Sequence, residues 1–332
     1  MTNTPERIHS IVLDVDTGVD DAVAIAMALN SPELEILAIT TVAGNAAVDL
    51  CTRNSLVVTE LLGSDVPVAR GAASPLSKDL LTAPEVHGED GLGGRRGSLP
   101  EPLRAAVAEP AHELLLRVSR EHPGEVTLVT TGPLTNLAIA LASDPDGLAG
   151  FARIVSMGGA FRVPGNTGEG REGPVAEFNV YVDPEAASAV LSSGLEITLV
   201  PLDATTQAIL PRSSLQGRER TSRAPLTSPG RDVSAILYRA LDYYMGYQLR
   251  ESGLDGGFMH DPLAVASVAR PELLRTRAAG VAVVIDGPER GRTIEDAAAL
   301  GRGVHVAIGH QRSLFRQLTE DWAMRPVFGS PI

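Results

Sequence analysis

Four aspartates fall within eight residues directly behind a short apolar run: Asp14, Asp16, Asp20 and Asp21 in IVLDVDTGVDD. Ile8 to Leu13 reads as a buried strand and Ala22 to Leu29 as a helix, so the acids occupy the turn at the carboxyl end of the strand. Open α/β sheets bind their ligands at that edge. Carboxylates this close repel one another, and a bound divalent cation is the usual remedy. The plainer reading is an acidic helix start, with Asp20 as N-cap and Asp21 meeting the helix dipole. That covers two aspartates and leaves Asp14 and Asp16 unexplained. A metal site accounts for the whole set.

Three functional readings of the turn compete. An EF-hand loop needs glycine sixth and glutamate twelfth. Counted from Asp14, those places hold Val19 and Ile25, so that reading fails. A haloacid-dehalogenase-like phosphatase also opens with a strand and two alternating aspartates. It normally carries threonine or valine two places after the second, and a lysine downstream. Here Gly18 holds that place and Lys78, the only lysine, stands in no suitable context, so the phosphatase stays as an alternative. The third reading is a glycosidase-like hydrolase. An N-glycosidic bond breaks through an oxocarbenium-like transition state as water attacks and the base leaves. Water is a poor nucleophile at neutral pH, and a cation together with a carboxylate base can lower its pKa.

D-x-D-x-G-x-D-D behind a strand resembles the signature of the inosine–uridine-preferring nucleoside hydrolases. TTVAGN (40–45), VHGEDG (86–91) and TTGPLTN (130–136) match further motifs of that family, and SMGGA, AEFN and MHDP follow in family order. The resemblance covers essentially the whole chain. It implies calcium-dependent hydrolysis of ribonucleosides to ribose and free base, with Asp16, Asp21, the carbonyl of Thr131 and Asp261 as metal ligands. Asp16 would also take the proton from the metal-bound water, and Asp14 would orient the turn from behind. Asp20 and Asn45 match positions that hold the ribose 2′- and 3′-hydroxyls. Glu177 and Asn179, joined by Asn166, match those for the 5′-hydroxyl, and Met157 would pack under the ribose. His260 matches the histidine that protonates the leaving base, and His87 one near the substrate. A histidine at a helix start is otherwise a polar N-terminal residue, and a loop histidine such as His87 is otherwise solvated.

The alternation in AEFN puts Glu177 and Asn179 on one face of an extended segment. Two departures from the family pattern stand out. GEGREG lengthens the gap between Asn166 and Glu177, which puts the part played by Asn166 in doubt. Pro133 replaces an expected glycine, at a first helical turn where proline is tolerated. Family members that take only purines tend to clamp the base between tryptophans. Trp322 is the only tryptophan here, and His260 points to the branch accepting inosine, uridine or cytidine. Tyr243, Tyr244 and Tyr247 could stack on the base or simply pack their helix. The run GLGGRRG follows no strand and lacks a lysine, so a phosphate cradle is not read from it; Arg95 and Arg96 read as loop solvation.

The elements that must position these residues alternate. Strands are expected over 8–14, 34–42, 66–69, 125–131, 153–157 and 195–201, and helices near 20–30, 46–62, 111–121, 133–142 and 184–193. That alternation implies a mainly parallel, Rossmann-like sheet flanked by helices. The polar stretch Gly71 to Pro110 reads as a functional loop or flap. Beyond residue 200 the pattern loosens: helices over 231–250, from His260 to before Pro271, and near 311–323, with strands at 278–286 and 303–308, forming a smaller helical C-terminal cap region. No linker or repeat divides residues 1–332, so one domain is expected.

The totals are ordinary for a soluble globular protein: 332 residues, 44% apolar, 21% charged and a net charge of −13. That charge argues against a nucleic-acid-binding surface. No apolar run reaches spanning length and no signal is evident at the start, so a cytoplasmic location with no membrane partner is expected. Cys51 reads as a buried structural thiol. The resemblance implies a homodimer or homotetramer. A nucleoside- or ribose-binding protein without turnover is the alternative from a different class.

Overall fold

The computed structural model describes residues 8–94, 99–168, 173–218, 233–299 and 303–328. Arg95 and Arg96, residues 169–172 within GEGREG and the first two residues of the 231–250 helix lie outside the described residues. Six strands form the first part of the chain: β1 (His9–Val15), β2 (Leu34–Thr41), β3 (Val68–Arg70), β4 (Thr127–Thr130), β5 (Arg153–Met157) and β6 (Ile197–Val200). The helices are α1 (Val19–Asn30), α2 (Val48–Leu61), α3 (Pro84–His87), α4 (Ala111–Glu121), α5 (Thr135–Ser143), α6 (Phe178–Val182), α7 (Pro184–Leu191) and α8 (Leu202–Thr205). Then come β7 (Ile209–Pro211), α9 (Val233–Ser252), β8 (Gly256–Phe258), α10 (His260–Ala269), β9 (Leu274–Ala278), β10 (Val281–Val283), β11 (Thr293–Glu295), β12 (Val304–His310), α11 (Arg312–Thr319) and α12 (Arg325–Phe328).

Eight strands make one sheet in the order β3-β2-β1-β4-β5-β6-β12-β9, parallel except for β9 at the edge. From Ile11 to Val15, β1 is buried without alternation, as a strand covered on both faces must be. One apolar cluster lies on the face of α1, α9 and α10, and a second on the face of α4, α5 and α7. The chain runs outward from β1 to β2 and β3, then returns to lay β4 on the other side of β1. A crevice opens at such a reversal, outside the carboxyl ends of the two central strands. The acidic turn follows β1 and Thr131 follows β4, so both flank it.

Helix α1 is buried at every position from Val19 to Ala28, which suits its Ala, Val, Ile and Met content. It packs against α10, α9 and α2. Its N-cap is Gly18, not Asp20; Asp21 stands three residues on, and its carboxylate accepts the Gly18 amide at 2.9 Å. The acidic helix start is therefore half right, with Asp21 capping and Asp20 left over.

Two expected strands need redrawing. The segment 278–286 is not one strand: β9 ends at Ala278, and β10 belongs to a separate antiparallel pair with β11. AEFN is not extended either, because Glu177 caps α6 and accepts the amides of Asn179 and Val180. A carboxylate two and three residues before free amides satisfies donors that an extended segment would leave exposed. Among the described residues no helix is long and apolar enough to cross a membrane.

Candidate active site

At the crevice a cavity of about 530 Å³ opens, lined by Asp20, Asn45, His87, Thr131, Met157, Asn166, Glu177, Asn179, His260 and Asp261. That volume suits a small organic ligand. Asp20, Asp21 and Asp261 each bring an oxygen within 4.8 Å of the others, and all three are buried. Asp261 reaches them because α10 packs along α1 with its first turn beside the acidic turn.

Asp16 and Asp21 sit just under the cavity and share one amide. Asn45 Nδ2 donates to Asp16 Oδ1 at 3.2 Å and to Asp21 Oδ2 at 3.1 Å, while the Asn45 backbone amide donates to Asp16 Oδ2 at 2.7 Å. Thr131 Oγ1 donates to Asp21 Oδ1 at 2.7 Å, and the Thr131 carbonyl accepts from Asn179 Nδ2 at 2.7 Å. Behind them Asp14 accepts from Thr40 Oγ1 and from Asn136 Nδ2 at 2.7 Å. Two glycines permit this crowding. A Cβ on Gly44 would lie 2.1 Å from Asp16 Oδ2, and one on Gly18 would lie 2.5 Å from His87 Nδ1.

The electrostatics follow from burial. Asp16 and Asp261 are pushed well above the usual carboxylate range by desolvation and then by neighbouring acids, Asp21 first for Asp16 and Asp20 first for Asp261. Asp20 is raised to about 7 by burial and by the charge of Asp21, and burial raises Asp21 despite its hydrogen bonds. Among the described residues none of the four is paired with an arginine or lysine. Buried hard oxygens without a protein cation are a donor set that a divalent ion fits. The site therefore has the composition of a metal centre.

Glu177 lines one end of the cavity. Its Oε2 accepts the amides of Gly159 and Val180 at 3.1 Å each, and burial raises its pKa to about 7 against those donors. Asn179 also approaches Met157 Sδ at 3.5 Å, so the methionine forms part of the wall. Asn166 lines the cavity from its exposed rim.

Two histidines face the other end. His87 is buried, not solvated as a loop residue would be: it closes α3, its Nδ1 accepts the Val19 amide at 3.1 Å, and its ring stacks on Tyr244. Burial and then the proximity of His260 lower its pKa to about 3. His260 opens α10, leans on the Phe258 ring and has its Nδ1 2.7 Å from Thr205 Oγ1; burial lowers its pKa to about 4. Tyr244 and Tyr247 line the cavity with Gln248 and Phe258, whereas Trp322 lies in the apolar core away from it. Thr205, Gln248 and Phe258 escaped the sequence reading. Only their position just beyond a strand or on the helix facing the crevice could have marked them.

Comparison with known proteins agrees with this geometry. The family model "Inosine-uridine preferring nucleoside hydrolase" matches residues 11–317. The chain is 44% identical over 290 residues to a protein named pyrimidine-specific ribonucleoside hydrolase RihA from Klebsiella pneumoniae, covering 86% of this chain and 88% of that one. Among solved structures, a purine-preferring ribonucleoside hydrolase from Gardnerella vaginalis superposes with a TM-score of 0.87 at 31% identity, over 97% of this chain and all of that one. A plant nucleoside hydrolase gives a TM-score of 0.83 at 32% identity, over 96% and 99%. Neither the phosphatase nor the binding protein survives this agreement: the chain belongs to the inosine–uridine-preferring nucleoside hydrolase family and is an N-glycosyl hydrolase.

Proposed function

We propose that this enzyme hydrolyses the N-glycosidic bond of ribonucleosides with calcium as its cofactor, taking inosine, uridine and cytidine. The convergence of Asp261 on Asp20 and Asp21 at the cavity floor carries the reading. Asp16, Asp21, Asp261 and the Thr131 carbonyl would hold the ion. When bound, the cation supplies positive charge that relieves the repulsion among these acids and lowers the pKa of a neighbouring water. Asp16 then accepts the proton of the attacking water, the work of a carboxylate general base held in place by the Asn45 amide. Asp20 and Asn45 hold the 2′- and 3′-hydroxyls. Asn179, Glu177 and Asn166 hold the 5′-hydroxyl, and Met157 supports the ring from below. Together they fix the anomeric carbon over Asp16. His260 and His87 flank the base, and His260 supplies a proton as negative charge grows on the leaving nitrogen.

The preference for pyrimidines draws on the name of the Klebsiella relative, and the inclusion of inosine on the family resemblance and on a base end lined by tyrosine, histidine and glutamine without tryptophan. The family resemblance adds a homodimer or homotetramer. The deciding assay measures base release from inosine, uridine, cytidine and adenosine, with calcium and after stringent chelation. Release that stops on chelation and returns with calcium supports the proposal. Unchanged rates after chelation remove the cation from the mechanism.

A further inference from the structure

Thr205 ends α8 and Thr206 caps it, and the two use their hydroxyls differently. Thr206 Oγ1 donates back to the Leu202 carbonyl at 2.7 Å, the ordinary recourse of a helical threonine. Thr205, fully buried, turns its hydroxyl away from the helix and approaches His260 Nδ1 at 2.7 Å. No other partner of that hydroxyl is found among the described residues. Thr205 does not line the cavity, whereas His260 and Thr206 do.

We infer that Thr205 is the positioning residue for His260, fixing the ring so that Nε2–H faces the nucleobase. This rests on the reading of His260 as proton donor to the leaving base. A hydroxyl can serve either form of the ring. To the neutral imidazole it donates its hydrogen at Nδ1, which leaves the single ring proton on Nε2. To the imidazolium it rotates and accepts from Nδ1–H, and Nε2 again carries a proton. The reverse tautomer of the neutral ring would put Nδ1–H on the hydroxyl and strand the hydroxyl hydrogen in a buried site. Thr205 thus keeps Nε2–H toward the cavity until the base departs; the imidazolium then gives that proton to the leaving nitrogen and is left neutral, with Nδ1–H donated to the hydroxyl. Phe258, 5.4 Å from the ring centroid to centroid, limits its swing from another side.

The fold supplies the pairing across 55 residues. Thr205 stands five residues beyond the end of β6, and His260 two residues beyond the end of β8. β8 pairs antiparallel with β7, the strand that follows Thr205, and the Met259 amide donates to the Ala208 carbonyl at 2.7 Å. The two side chains are therefore held by a common small sheet.

The test uses the calcium-loaded enzyme and two leaving groups. Hypoxanthine and uracil need protonation on departure, whereas 4-nitrophenolate from a 4-nitrophenyl riboside does not. Thr205→Val removes the hydroxyl with little change of shape. Its kcat on inosine and uridine is expected to fall about tenfold, a fraction of the effect of general-acid catalysis, with KM nearly unchanged. Its rate on the 4-nitrophenyl riboside should stay within about twofold of the parent, and Thr205→Ser should restore nucleoside turnover. Equal losses on both substrate types, or no loss on either, overturn the inference. His260→Ala separates it from the reading beneath it. If His260→Ala slows nucleosides and Thr205→Val does not, only the positioning role falls; if His260→Ala leaves nucleosides untouched, both fall.

Discussion

Removing the cation should make the protein's stability depend on pH in a direction set by its buried acids. Asp20 titrates near 7 in the folded chain instead of 3.8, a displacement of about 3 pH units, worth on the order of 4 kcal/mol. For a carboxyl raised on folding, the stabilisation is fully present below the unfolded pKa and is lost as pH rises through the folded one. Asp16, Asp21 and Asp261 shift the same way, so the four act together and the Asp20 figure is the scale of the effect. Between pH 5 and pH 8 the loss spans about 2 of those units, roughly 3 kcal/mol. In a chain of 332 residues that lowers Tm by about 4 °C. Calcium at a hundredfold excess over its Kd returns about 2.7 kcal/mol, and does so where the acids are ionised. The assay is thermal unfolding at both pH values, with chelator and with calcium. Glu177 and His87 titrate in either case, so the informative quantity is the calcium-induced rise in Tm. That rise should be several degrees larger at pH 8. An equal or larger rise at pH 5 would refute the argument that the acids repel one another until an ion separates them.

Two substitutions probe the floor of the site. Asp16→Asn keeps the shape and the hydrogen bond from the Asn45 amide but cannot take a proton, so base release should fall by about 1,000-fold or more in a steady-state assay. Gly44→Ala puts a methyl 2.1 Å from Asp16 Oδ2 and 2.8 Å from Pro133 Cδ, neither at the end of a flexible chain. It should cost about 100-fold in kcat and lower Tm, since a misplacement of about 1 Å of the carboxylate proposed as the base costs on that order; full activity would mean that the close approach of Gly44 is not required.

Much of the framework was legible because parallel strands announce themselves. Leu13 and Val129 stand in apolar strands that lead directly into the helices α1 and α5, and the acids fall at the turn where the strand order reverses. The partnership of Asp261 with Asp21 was legible only through family resemblance, since no local pattern joins residues 240 positions apart. β9 was missed because LRTRA is a half-exposed edge strand with arginines on its open side, a pattern that advertises solvent and not a sheet. AEFN misled for the opposite reason: its alternation is real, but Glu177 satisfies two amides by starting a helix. The burial of His87 was invisible because it depends on Tyr244 and Val19, which the chain brings beside it from either direction.

The wall around the base end is joined to itself. Tyr243 of α9 donates its hydroxyl to the Pro84 carbonyl at 3.2 Å, Arg239 reaches Asp90 at 3.3 Å, and Tyr244 stacks on His87. The flap and the long helix are thus one mechanical piece. An exchange on α9 that reshapes the room for a purine or a pyrimidine also moves the imidazole across from it. With the base placed as proposed, selectivity and speed are geared together, and a change of substrate must be compensated on both walls at once.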